Sequence, residues 1–137
     1  MSLVDTSVWI PYLRGSPSAG ARALDRLLAE DVPVALTSVI AMELLQGVAS
    51  EAMADTLAEY SSTQRRIESE DPWATALAAA RLYAACRPAG YTIWSTLDCW
   101  IARLAIEHHH MLLHEDRDYD HLAAVVPELV VYGDSAS

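Results

Sequence analysis

The sequence of 137 residues contains no lysine, no phenylalanine and only two cysteines. Because all nine basic residues are arginines, chemistries that need a lysine amine are excluded, including the Walker A phosphate cradle and Schiff-base catalysis. Cys86 and Cys99 lie in apolar surroundings and form no CxxC pair. We therefore expect two buried free thiols rather than a zinc or redox site.

Long apolar runs are also missing, since none approaches the ~20 residues that span a bilayer. The first residues, MSLVDTSVWI, lack the basic segment of a signal peptide. We therefore expect a cytoplasmic protein with no membrane association. The composition, 53% hydrophobic and 20% charged, is typical of a globular chain, and the length suits one domain. We predict a single domain over residues 1–137.

Positive charge is scarce, and the formal net charge is -10. Proteins that bind nucleic acids usually meet phosphate groups with clustered lysine and arginine, so this balance at first argues against such a partner. Carboxylates gathered in one pocket can instead bind divalent cations, and the bound cation then becomes the positive group that meets the phosphate. The excess of acid also suits a basic protein partner.

Hydrophobic periodicity predicts that strands and helices alternate along the chain. The predicted strands cover residues 2–5, 34–36, 111–114 and 129–132, with a short one at 65–68. The predicted helices cover residues 8–13, 19–30, 38–48, 51–62, 74–86, 95–107 and 119–126. This alternation predicts an α/β fold with a parallel sheet covered by helices on both faces.

Carboxylates stand where two of the predicted strands end. Asp5 ends the first strand, and Asp116 follows the strand at 111–114. In open parallel sheets the functional crevice lies beyond the carboxyl ends of the strands. The alternative for Asp5 is a helix cap, a role that Thr6 or Ser7 could fill instead. Asp118 is either a second metal ligand or the N-cap of the helix that follows.

Two further carboxylates lie on apolar helix faces. Glu43 shares a face with Ile40, and Asp98 shares one with Ile101. A buried carboxylate without a partner is costly, so each needs a neighbour of opposite charge or a metal ion. The alternatives are a partly exposed, snorkelling Glu43 and a buried arginine partner for Asp98. Ser95 is better placed than Asp98 to cap its helix.

Four carboxylates that meet at one sheet edge repel each other, which a low-dielectric site tolerates only with cations or raised pKa values. Hard oxygen ligands select Mg²⁺ or Mn²⁺. Such ions activate water and orient a phosphodiester for in-line attack, so no lysine or histidine base is needed. The residues therefore predict phosphodiester hydrolysis.

Four segments, LVDTSVWI, AMELLQG, STLDCWIARLAI and HEDRDY, stand in the order and approximate spacing of the PIN-domain family. Nearly the whole chain resembles this family, and especially its VapC-type toxins. The resemblance implies a three-layer α/β/α sandwich and Mg²⁺- or Mn²⁺-dependent cleavage of structured RNA such as tRNA or rRNA. It also implies a homodimer and a VapB-type antitoxin partner whose C-terminal segment blocks the acidic site, often with an arginine.

The resemblance further implies roles for particular residues. The implied catalytic metal ligands are Asp5, Glu43, Asp98 and Asp116, supported by Asp118 as a further ligand and by Thr6 or Ser7 through hydrogen bonds. Arg103 departs from the family, which usually carries a small residue at this place, and we expect it to face either solvent or substrate. The alternative function is a non-catalytic α/β binding module whose acidic pocket holds a cation or a basic peptide.

Overall fold

Four short parallel strands form the central sheet in the part of the chain that the structure describes. The structure is a computed structural model that describes residues 1–93 and 95–132. The strands are β1 (Ser2–Val4), β2 (Val34–Leu36), β3 (Arg65–Arg66) and β4 (Met111–Leu113). Their order is β3-β2-β1-β4, and every pairing is parallel. The predicted parallel α/β architecture is therefore confirmed.

Seven helices of the described part flank this sheet and complete a three-layer α/β/α sandwich. They are α1 (Thr6–Arg14), α2 (Ala19–Ala29), α3 (Ser38–Gln46), α4 (Glu51–Ser62), α5 (Pro72–Cys86), α6 (Thr96–Glu107) and α7 (Arg117–Val125). Hydroxyl oxygens of Ser18, Thr37, Ser50 and Ser95 accept hydrogen bonds from first-turn amides and so fix four of the helix starts. None of these helices has the length and apolar content that crossing a bilayer requires.

The core lies on both sides of β1. Leu3 and Val4 are fully buried although neighbouring strand residues point to opposite faces of the sheet. A strand covered on both faces is apolar throughout, which explains why the sequence here reads as a continuous apolar run. Cys86 and Cys99 belong to the same core as free thiols, as predicted.

The predicted strand at 129–132 is wrong. Only a single parallel bridge, between Val131 and Leu112, forms there. The Leu112 amide donates to the Val130 carbonyl, and the Tyr132 amide donates to Leu112, at 2.9 and 2.7 Å. Apolar residues that touch the sheet at one point satisfy the same sequence pattern as a strand. The predicted domain of residues 1–137 also includes Trp94 and residues 133–137, which lie outside the described residues.

Candidate metal centre

The carboxylates predicted from the sequence meet at the carboxyl edge of the sheet. Asp5 directly follows β1, and Asp116 follows β4, the neighbouring parallel strand. Asp98, Asp116 and Asp118 each offer an oxygen within 4.8 Å of the others. Parallel strands end at one edge, so the topology brings together residues that are far apart in the chain.

Asp5 is 4% exposed and uses both of its carboxylate oxygens. Oδ2 accepts hydrogen bonds from the Ser7 amide at 3.0 Å and from the Ser7 hydroxyl at 2.7 Å, while Oδ1 accepts one from the Tyr119 hydroxyl at 2.8 Å. The N-cap of α1 is therefore Asp5 itself, so the helix-cap alternative for Asp5 is confirmed and neither Thr6 nor Ser7 is the cap. A cap needs extended backbone, which Asp5 has where it leaves the strand.

Thr6 and Ser7 connect the start of α1 to other parts of the site. The Thr6 hydroxyl donates to Oε1 of Glu43 at 2.9 Å. The Ser7 hydroxyl, besides donating to Asp5, accepts a hydrogen bond from the Glu115 amide at 2.9 Å. Both residues therefore hydrogen-bond to predicted site carboxylates, and Ser7 also ties Asp5 to the loop after β4.

Asp98 lies in the first turn of α6 and is 7% exposed. Ser95 is the N-cap of this helix, as the sequence indicated. The hydrogen-bond partner of Asp98 is the Tyr119 hydroxyl, 3.2 Å from Oδ1, and not the arginine considered as an alternative. Burial, followed by the charges of Asp116 and Asp5, raises the pKa of Asp98 to about 8.

Glu43 is half-buried on α3 and faces the same site. Burial raises its pKa, the hydrogen bond from Thr6 opposes that shift, and the charges of Asp5 and Asp116 raise it further. The hydrogen bond from Thr6, the residue that follows Asp5, places Glu43 at the same end of the sheet. Its contact with Thr6 argues against the alternative of a glutamate that reaches only into solvent.

Asp116 and Asp118 share the start of α7. Oδ1 of Asp116 accepts a hydrogen bond from the Asp118 amide at 2.9 Å, so Asp116 is the N-cap and Asp118 is not. Of the two alternatives for Asp118, the helix-cap role is therefore wrong. Asp118 is 4% exposed and lies in the cluster with Asp98 and Asp116, where it remains a candidate ligand.

Tyr119 belongs to the site although sequence reasoning missed it. Its side chain is fully buried, and its hydroxyl lies between Asp5 and Asp98. Burial, followed by the charges of these two carboxylates, raises the pKa of Tyr119 well above its usual value, so the hydroxyl keeps its proton. The hydroxyl can donate its proton to Oδ1 of Asp5 at 2.8 Å or to Oδ1 of Asp98 at 3.2 Å, so the two carboxylates share one donor.

Arg103 does not reach the carboxylate cluster. Its Nε donates to Oε2 of Glu107 at 2.9 Å, one turn later on α6, and Glu107 also accepts a hydrogen bond from the Thr75 hydroxyl on α5. The Arg103 side chain is partly exposed, as expected for one that faces solvent, and its guanidinium is held in an ion pair with Glu107.

The donor set suits a hard divalent cation. All five predicted ligands are carboxylates, and three of them bring oxygens within one coordination sphere of each other. Burial first, and then the charges of Asp116 and Asp5, raise the pKa of Asp98, and a bound cation would stabilise its ionised form. The crowding of carboxylates therefore fits a metal centre better than a set of surface charges.

The model of the PIN domain family matches residues 2–125 of the chain. The chain belongs to the PIN-domain family. Its relatives include the VapC ribonuclease Mb1587 of Mycobacterium bovis and the ribonuclease VapC11 of Mycobacterium tuberculosis. Each is 37% identical over 126 residues, covering 91% of this chain and 93% of the relative. The resemblance seen in the four sequence segments is thus confirmed at the level of the family.

Solved structures with the same PIN fold include VapBC2 of Rickettsia felis bound to a promoter DNA fragment, with a TM-score of 0.71 and 18% identity. The match covers 96% of both chains. FitAB bound to an IR36 DNA fragment has a TM-score of 0.68 and 24% identity, covering 96% of this chain and 94% of that chain. At these identities the likeness supports the fold and not the details of the site.

Proposed function

We propose that this protein is a cytoplasmic, metal-dependent endoribonuclease, the toxin of a toxin–antitoxin pair. The observation that carries the proposal is the convergence of Asp98, Asp116 and Asp118 within 4.8 Å in a PIN-domain chain. Asp5 and Glu43 border the same cluster. The 37% identity to proteins named as VapC ribonucleases favours RNA as the substrate over other phosphodiesters.

The proposed ligands of Mg²⁺ or Mn²⁺ are the five predicted carboxylates, Asp5, Glu43, Asp98, Asp116 and Asp118. Such a cation, when bound, supplies an activated water and stabilises the leaving oxygen. The chain's own hydroxyls orient the ligands: Ser7 and Tyr119 hold Asp5, and Thr6 holds Glu43. No lysine is available as a base, so we assign the activation of water to the cation held by these carboxylates.

Structured RNA, such as tRNA or rRNA, is the proposed substrate. A chain with a net charge of -10 repels a phosphate backbone unless its carboxylates are neutralised. The binding of RNA, like its cleavage, should therefore depend on the divalent cation. RNA binding by a variant that does not hydrolyse RNA can be measured with and without the cation, and this measurement complements the activity assay.

A VapB-type antitoxin is the proposed inhibitor. The acidic cluster is suited to an arginine of such a partner, because charge complementarity favours a guanidinium among several carboxylates. An apolar groove of about 510 Å³ between α1, α3 and α4 offers a second contact surface. It is lined by Ile10, Leu13, Leu44, Val48, Met53 and Leu57. An apolar antitoxin segment in this groove would provide affinity, and its arginine at the acidic cluster would provide inhibition.

A homodimer remains a prediction. Its support is a set of exposed apolar side chains on α3 and α5: Met42 is 50% exposed, Trp73 74% and Leu77 47%. Large exposed apolar patches on a monomer often mark protein–protein interfaces, so these side chains are the ones to test. Light scattering of the purified chain, with Leu77→Glu as the disrupting variant, measures the oligomeric state directly.

The deciding experiment uses the purified chain freed of any antitoxin. We expect RNA cleavage with Mg²⁺ or Mn²⁺ and none with excess chelator. Asp5→Asn and Asp98→Asn should abolish cleavage while circular dichroism shows the fold intact. Asp55→Asn, an exposed position on α4, is the matched control and should cleave like the wild type.

Two results would count against the proposal. Unchanged cleavage in both Asp5→Asn and Asp98→Asn would remove the carboxylate cluster from the reaction. A wild-type chain that binds Mn²⁺ without cleaving any cellular RNA would favour the alternative, a non-catalytic binding module with an acidic pocket.

A further inference from the structure

One buried hydroxyl joins three separate parts of the candidate metal centre. The Tyr119 hydroxyl on α7 lies 2.8 Å from Oδ1 of Asp5, which caps α1, and 3.2 Å from Oδ1 of Asp98, in the first turn of α6. No other side chain of the described residues hydrogen-bonds to both of these carboxylates. The hydroxyl therefore links a carboxylate at the end of β1 to one in the first turn of α6.

The ring of Tyr119 is held in place by its surroundings. The side chain is fully buried, and its ring packs against that of His114 with the centroids 5.1 Å apart and the planes at 52°. His114 is fixed in turn, because its Nδ1 accepts a hydrogen bond from the Asp116 amide at 3.1 Å. A packed aromatic ring has few alternative rotamers, so the hydroxyl is a rigid reference point.

We propose that Tyr119 is a positioning residue, whose hydroxyl sets the carboxylates of Asp5 and Asp98 for binding of the divalent cation. The inference rests on the proposed metal-dependent function and deepens it. Groups that hydrogen-bond to metal ligands orient them, and their loss typically costs about 10–100-fold in metal affinity or activity. Tyr119 touches neither RNA nor the cation in this scheme and acts through the two carboxylates.

A purely structural role would have different consequences. A buried tyrosine needs only one acceptor to satisfy its hydroxyl, and a single backbone carbonyl would serve. Here the hydroxyl meets two carboxylates from different helices, and Asp5 receives it on the oxygen that Ser7 leaves free. Replacing tyrosine by phenylalanine keeps the ring packing and removes only this bridge.

The test compares Tyr119→Phe with Tyr60→Phe. Tyr60 is a matched control because its partly buried ring packs edge-on against Trp9, with centroids 6.2 Å apart, rather than against the carboxylates. Calorimetric titration with Mn²⁺ gives the affinity of each folded variant without reference to activity. We expect Tyr119→Phe to bind Mn²⁺ at least about tenfold more weakly than wild type, and Tyr60→Phe to bind it within about twofold.

Cleavage assays at increasing Mn²⁺ add a second readout. The Mn²⁺ concentration for half-maximal cleavage should rise with Tyr119→Phe, while the rate at saturating Mn²⁺ stays closer to that of the wild type. Equal Mn²⁺ affinity in Tyr119→Phe and wild type would overturn the inference. Failure of the wild type to bind Mn²⁺ at all would instead overturn the proposed function.

A crystal structure of the Mn²⁺-loaded wild type tests the inference even if Tyr119→Phe does not fold. We expect the Tyr119 hydroxyl to remain within hydrogen-bonding distance of both Asp5 and Asp98 while these bind the ion. A hydroxyl that has left either carboxylate in the loaded protein would contradict the positioning role.

Discussion

Two acid-rich regions of this protein differ in what surrounds the carboxylates. At the sheet edge, Asp5 and Asp98 are nearly buried, and within the described residues their partners are hydroxyl and amide groups. Where the start of α5 lies beside the end of α6, Glu107 lines a small cavity with Glu70 and Asp71. Glu107, however, is paired with an arginine of its own helix.

The difference shows that the number of acids does not define a site. Glu107 is compensated by Arg103 and by the Thr75 hydroxyl, so the fold itself balances its charge. At the sheet edge, burial and then the charges of Asp116 and Asp5 raise the pKa of Asp98 to about 8. Crowded, buried acids with shifted pKa values are a common sign of a functional site.

The largest expected effect is the difference between two variants, each of which removes one charge from one of the two regions. Asp118→Asn should raise the Mn²⁺ concentration for half-maximal RNA cleavage by more than about tenfold, since a ligand matters at least as much as an outer-sphere partner. Glu107→Gln should leave that concentration unchanged. Equal behaviour of the two variants in Mn²⁺-dependent cleavage would show that Asp118 only packs at the start of α7.

The second effect is a pH dependence confined to the sheet edge. The folded-state pKa of Asp98, about 8, lies above the ordinary value of 3.8, so between these values the folded state binds the extra proton. The stability contributed by this proton is complete below about pH 4 and is lost as pH rises through about 8. The melting temperature of the metal-free protein should therefore fall across this window.

Two controls assign that pH dependence. Asp98→Asn should flatten the fall in melting temperature, because the amide has no proton to lose. Saturating Mn²⁺ should reverse it, since a cation binds the ionised carboxylates and competes with protons. A fall that persists unchanged in Asp98→Asn would assign it to other groups.

The sequence was a good guide to which carboxylates meet and a poor guide to how they are held. Asp98 was identifiable because a charge in a nearly continuous apolar helix must have a partner. The cap of α1 was not decided by the sequence because Asp5 and Ser7 have equal capping propensity, and only the end of β1 decides between them. Tyr119 was missed because a tyrosine at helical spacing looks like core, and its hydroxyl contacts depend on tertiary packing.

The fold was predictable to a similar depth. Strands buried on both faces leave a strong apolar signal, and hydroxyl caps mark most helix starts. A short strand at the edge of the sheet leaves a weak sequence signal. The strand expected at 65–68 is reduced to Arg65–Arg66. Whether such a segment pairs depends on the neighbouring strand, which local sequence does not encode.

A smaller effect is expected from Thr6→Val, which removes the hydrogen bond to Glu43 and keeps the shape of the side chain. Free of Thr6, Glu43 loses a contact that favours its ionised form and should bind Mn²⁺ about tenfold more weakly. Thr63→Val is the matched control, since the Thr63 hydroxyl donates to a carbonyl of its own turn. Calorimetric titration that finds no difference between the two variants would remove Thr6 from the site.

The smallest effect should appear in the compensated region, and in stability rather than activity. Glu107→Ala leaves Arg103 without its ion pair and removes an acceptor from Thr75, a side chain that is 1% exposed. Because Arg103 and Glu107 are partly exposed, solvent screens their attraction, and the expected loss is about 1 kcal/mol in the free energy of unfolding. Urea denaturation measures this loss, and Mn²⁺-dependent cleavage should not change. A loss of cleavage in Glu107→Ala would mean that the two acidic regions are coupled through α6, whose first turn carries Asp98 and whose last turn carries Glu107.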